Sequence, residues 1–135
     1  MTGVELARRA VACPGWRWMP GMRYQIVNER GQIGGWMRAS DRVSHLDALY
    51  PVAGESEVAL PDLDDPATLG CLLALVREAW GSHVSSIRTG DGWSVRHMGR
   101  DGWAVGLSVV GITPCEAEAL VAALEAAPRR EAAPC

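Results

Sequence analysis

Trp16-Arg17-Trp18-Met19-Pro20-Gly21-Met22-Arg23 gathers the residue types that most often anchor a binding surface. Tryptophan, arginine and methionine are enriched where proteins meet partners, and indole and guanidinium planes also stack on nucleobases. Arg38 is a further fork able to grip a carboxylate or phosphate in bidentate fashion. The candidate binding residues are therefore Trp16, Arg17, Trp18, Met22, Arg23 and Arg38. The competing reading makes the tryptophans core filler. The chain has six tryptophans and no phenylalanine, and buried aromatics dominate small cores.

Other chemistries find no support. There is no G-x-S-x-G elbow, and the histidines are His45, His83 and His97. His97 lies in an alternating pattern with Trp93 and Val95 and reads as half-buried and structural, so a catalytic pairing with an acidic residue is set aside. His83 follows a helix-ending Gly81-Ser82 and reads as solvent-exposed. No H-x-x-x-H, H-x-E or CxxC spacing suggests a metal, and no cofactor is expected. Gly31, Gly34 and Gly35 cluster, but all 13 basic residues are arginine, so a Walker A lysine is impossible. Asp62, Asp64 and Asp65 could in principle hold magnesium. Capping the following helix and favouring its positive end accounts for the same residues more simply.

Three helices are expected to position these groups. Thr2 and Glu5 have capping-box spacing and open a helix over about 3–12, closed by Cys13-Pro14-Gly15. Asp65, Pro66 and Gly81 bracket a helix over 66–80, with Leu69, Leu72, Leu73, Val76 and Trp80 on one stripe broadened by Leu75 and Ala79. Thr113, Pro114 and Glu116 predict a third helix over 114–126, with Thr113 as cap. Pro20-Gly21 suits the centre of a type II turn. A hairpin over 23–38, turning at Glu29-Arg30-Gly31, and a meander over 84–110, turning at Gly90-Asp91 and Gly99-Arg100-Asp101, supply about five strands. Residues 41–63 read as a long ordered loop with at most one short strand. Because the strands come in hairpin-linked groups, the expected fold is α+β, an antiparallel sheet packed by three helices.

At 135 residues and 48% hydrophobic composition, one domain over 1–127 is expected, followed by a disordered polar tail over 128–135. No apolar run approaches the roughly 20 residues that cross a bilayer, and the start lacks a secretory pattern. The chain is expected in the cytoplasm without membrane association. Its net charge of −3 argues against duplex DNA binding, which needs a basic surface. Cys13, Cys71, Cys115 and Cys135 lie in separate segments and predict no disulfide framework. Cys71 reads as a core residue and Cys135 as an exposed thiol.

The stretches Leu6-Ala7-Arg8-Arg9-Ala10-Val11-Ala12, Trp16-Arg17-Trp18-Met19-Pro20-Gly21-Met22, 65–81 and 116–126 resemble small uncharacterised proteins encoded by phages and prophages. They cover somewhat less than half of the chain. The resemblance transfers no activity and no site residue. It implies a mobile-element setting in a bacterial host, where small non-enzymatic proteins bind and block a host component. Taken with the small size and the missing catalytic motifs, it leads to a non-enzymatic accessory protein that binds a host protein or ribonucleoprotein. Inhibition of a defence system such as CRISPR is the expected role. Sequestration of a nucleotide-like signal is the alternative, with Trp16 or Trp18 stacking on a base and Arg17, Arg23 or Arg38 pairing with phosphate. Homo-oligomerisation stays open.

Overall fold

Thr2 and Glu5 form the reciprocal capping pair that their spacing predicts. The Thr2 backbone N–H donates to Glu5 Oε2 at 2.9 Å and the Glu5 N–H donates to Thr2 Oγ1 at 3.1 Å. Helix α1 (Gly3–Val11) follows and buries Leu6, Ala7 and Ala10. The computed structural model describes residues 2–28, 31–40, 58–81, 83–98 and 104–128, with the backbone alone for 31–34 and 104–108. Residues 41–57 of the loop expected over 41–63, Glu29-Arg30 of the hairpin turn, the turn over 99–101, His45, Trp103, Cys135 and the tail from 129 lie outside the described residues.

The fold is α+β. After α1 come strands β1 (Arg23–Asn28), β2 (Gly31–Arg38) and β3 (Val58–Pro61), then helix α2 (Pro66–Trp80). Strands β4 (Val84–Thr89), β5 (Gly92–Met98) and β6 (Ala104–Ser108) and helix α3 (Glu116–Ala126) complete the order. The strands divide into two antiparallel three-stranded sheets, β2-β1-β3 and β4-β5-β6. The expected single sheet is thus two, and the short strand foreseen within 41–63 is β3, which pairs with β1 from Tyr24–Pro61 to Val27–Val58. The chain falls into two compact units, residues 1–11 with 17–71 and residues 12–16 with 72–135. The boundary runs through α2.

In the first unit, Met19-Pro20-Gly21-Met22 makes the expected turn. The Met22 N–H donates to the Met19 carbonyl at 3.2 Å, and Gly21 takes a φ of 93° that other residues avoid. Trp18, Met22, Tyr24, Val27, Ala59 and Leu60 are buried, with Trp18 and Tyr24 edge to face at 5.7 Å. Such aromatic pairs prefer this geometry because a positive ring edge meets a negative face.

In the second unit, Leu72, Leu75 and Val76 of α2, Val84, Val95 and the α3 residues Leu120 and Val121 are fully or almost fully buried. Helix α3 begins at Glu116 with Cys115 as its cap residue, not at Pro114 with Thr113. Thr113 is used elsewhere. Its backbone exchanges two 2.8 Å hydrogen bonds with Trp93, and its hydroxyl donates to the Cys115 carbonyl. Glu116, expected to close a capping box, instead accepts from Ser86 Oγ at 2.7 Å. Gly92 admits the Thr113 bridge, because a Cβ there would collide with the Thr113 carbonyl oxygen. His97 is half-buried against the edge of Trp80, and His83 is exposed, both as expected.

Candidate functional site

On the first sheet, Arg23 of β1 lies directly opposite Arg38 of β2, and Trp36 precedes Arg38 by two positions. Side chains alternate along a strand, so all three stand on one face. Like charges across a strand pair repel unless they are offset, and each arginine has a carboxylate. Arg23 Nη1 is 3.6 Å from Asp62 Oδ2. Arg38 grips Asp65 in bidentate fashion, Nη1 to Oδ2 at 3.0 Å and Nη2 to Oδ1 at 3.2 Å, and also donates to the Gly21 carbonyl at 2.7 Å.

Asp65 is the hub of this arrangement. It also accepts from the backbone N–H and hydroxyl of Thr68, both at 3.0 Å, which caps α2 as its position predicts. The Thr68 hydroxyl in turn accepts from the Arg23 backbone N–H at 2.9 Å. The Arg38 guanidinium holds the Asp65 carboxyl down to about 2, and the Thr68 donors add to that. Hydrogen bonding to Asp65 raises Arg38 in return.

Beside this frame, β2 presents large apolar side chains to solvent. Trp36 is 42% exposed and Met37 43%. The Arg23 guanidinium carbon sits 5.2 Å from the centre of the Trp36 ring, within cation–π range. Trp36 thus stands with Arg23 and Arg38 on one face of the sheet, and Met37, at the alternate position opposite Tyr24, on the other.

The residues singled out in the sequence separate in the structure. Trp18 is 3% exposed and Met22 fully buried, so both are core. Trp16 is half-buried and belongs to the second unit, and Arg17 is exposed. Arg23 and Arg38 do share one surface. The sequence reading missed Trp36 and Met37. Their signal was two adjacent large apolar residues after Gly34-Gly35, where alternation would have buried one of them.

Away from this sheet, the second unit has an open groove of about 610 Å³ over Leu75, Ala79 and Leu124, whose ionisable lining residues are Glu78 and Glu125. Among the described residues, Cys13, Cys71 and Cys115 form no disulfide. Cys71 is half-buried, and burial raises its pKa, which disfavours the reactive thiolate. Among the described residues, no group of three or more His, Cys, Asp or Glu is placed to hold a metal ion, and no helix is long and apolar enough to cross a membrane. Compared with known proteins, the chain matches no family model, no curated protein and no solved structure.

Proposed function

We propose that the chain is a non-catalytic, phage-type accessory protein that acts by stoichiometric binding to a host protein or ribonucleoprotein, and that it inhibits a host defence system such as CRISPR. The observation that carries the binding reading is Trp36, half exposed and paired with Arg23 on the face that also holds Arg38, with Met37 exposed at the adjacent position. Aromatic and arginine side chains dominate binding hot spots because they bury large areas and keep a polar handle. Here the arginines are already fixed by Asp62 and Asp65, so a partner need not immobilise them on binding. Trp18 and Met22 serve the surface from beneath, as the core that holds β1 in place.

Sequestering a nucleotide-like signal fits this geometry less well. Trp18 offers no open face for stacking, and the Arg38 fork is filled by Asp65. The test is plating efficiency of a CRISPR-targeted phage on hosts that express the chain. Wild type is expected to restore plaques, and Trp36→Ala with Met37→Ala to abolish that restoration while the protein stays folded. No restoration across hosts carrying different CRISPR types would remove the defence-inhibitor role. A nucleotide-dependent rise in melting temperature would return weight to sequestration.

A further inference from the structure

Strand β2 is the terminal strand of its sheet among the described residues, with β1 on one side. Between the pairs Tyr24–Met37 and Ile26–Ile33, β2 carries Gly34, Gly35 and Trp36 where β1 carries Gln25 alone. Such a bulge leaves backbone groups on the longer strand that its neighbour cannot satisfy. Residues 35–38 are all exposed, and a Cβ built on Gly35 would meet nothing within 4 Å. Natural edges are guarded by lysine, proline, inward charge or a bulge that twists the edge away, and of these devices β2 carries the bulge. β2 reads Gly-Gln-Ile-Gly-Gly-Trp-Met-Arg, and its one charge, Arg38, is tied to Asp65.

The order of residues around Trp36 says what pairs with this edge. Two glycines precede it and two large side chains follow it. An antiparallel two-fold centred on Trp36 sets Met37 against the second copy's Gly35, Arg38 against its Gly34, and Trp36 against its own counterpart. The two indoles then form a cross-strand aromatic pair, Met37 and Arg38 on either side of it face glycines, and no like charges meet. We propose that the chain forms a two-fold homodimer through antiparallel pairing of β2 with β2 of a second copy, extending each three-stranded sheet into one of six strands.

Pairing at the edge leaves the faces of the sheet open. The two Trp36–Arg23 surfaces lie on the same side of the joined sheet, because a two-fold axis perpendicular to a sheet preserves its faces. Dimerisation stands whether or not the target is a defence system, since its readout is mass alone.

The experiment is light scattering coupled to size exclusion on the full chain, across a dilution series from roughly 1 to 100 µM, the range in which a modest interface dissociates. Twice the monomer mass of 14.5 kDa is expected at the top of the series. Gly35→Lys places a charged side chain where the second copy's Met37 would lie. Gly35 has no left-handed φ, and the space around it is open, so the variant is expected to melt like wild type and stay monomeric. Wild type at monomer mass throughout, or an undiminished dimer of Gly35→Lys, overturns the proposal. Should the variant misfold, hydrogen exchange of wild type decides. Amides of 34–38 are expected to gain protection with concentration, and equal protection at both ends of the series overturns the dimer.

Discussion

Trp18 is almost wholly buried and meets Tyr24 edge-on, whereas Trp36 is half exposed beside a guanidinium. The two should respond oppositely to truncation. Trp18→Ala removes a buried aromatic and leaves a cavity, and is expected to cost about 3–5 kcal/mol in a urea titration. Trp36→Ala gives up a solvent-exposed cation–π contact and is expected to cost no more than about 1 kcal/mol. Equal losses would mean that Trp36 supports the fold as much as Trp18 does, and its place in a binding surface would fall. Burial is what the sequence could not supply for these residues. Trp18 and Trp36 each follow a glycine or arginine within a few positions of a turn, and local pattern is the same for a core anchor and a surface anchor. What separates them is packing by residues distant in the chain, such as Tyr24 against Trp18 and Arg23 against Trp36.

The start of α2 shows how one side chain can tie an element to a sheet. Asp65 caps the helix through Thr68 and binds Arg38 of β2, and the Thr68 hydroxyl takes the N–H of Arg23 in β1. The folded chain therefore favours the ionised carboxylate, which titrates at about 2 against an ordinary 3.8. A depressed carboxyl contributes stability that is complete above its unfolded value and is lost as pH falls toward its folded one. Chemical-denaturation midpoints are thus expected to be insensitive to Asp65 above pH 4 and to fall between pH 4 and 2. Asp65→Asn should flatten the fall in that window while lowering stability at pH 7, and an unchanged acid profile would show that the pair is not formed in solution. The cap itself was legible, because Asp65, Pro66 and Gly81 are local signals for a helix over 66–80. So was the capping box at Thr2 and Glu5. The box at Thr113 and Glu116 has the same spacing and failed, since Thr113 bridges Trp93 and Glu116 accepts from Ser86. Both competing bonds reach across 20 or more residues, beyond the reach of any local rule. The exact place of β3 within 41–63 was not legible for a related reason. Four residues ending in proline carry little pattern of their own, and their pairing with β1 makes them a strand.

At the scale of the whole chain, the boundary between the two compact units falls inside α2, between Cys71 and Leu72. The helix contributes Thr68 to the buried set of the first unit and Leu72, Leu75 and Val76 to that of the second. Its 15 residues are hydrogen-bonded continuously, and the i to i−4 bonds of residues just past the boundary end on carbonyls just before it. Isolated helices shorter than about 12–15 residues are marginal in water. Unfolding either unit would leave the other holding half a helix too short to persist by itself, without the packing that its lost half supplied. The two units should therefore melt together. Scanning calorimetry is expected to show one transition whose calorimetric and van't Hoff enthalpies agree. Gly70→Pro tests the coupling directly, because proline inside the helix removes a hydrogen bond and clashes with the preceding turn. Gly70 has open space where a side chain would go, so the damage is confined to the helix backbone. If α2 couples the units, the variant melts at lower temperature with both sheets lost in one step. Two resolved transitions in the wild-type chain would instead make each unit an autonomous folding element, and the shared helix a linker.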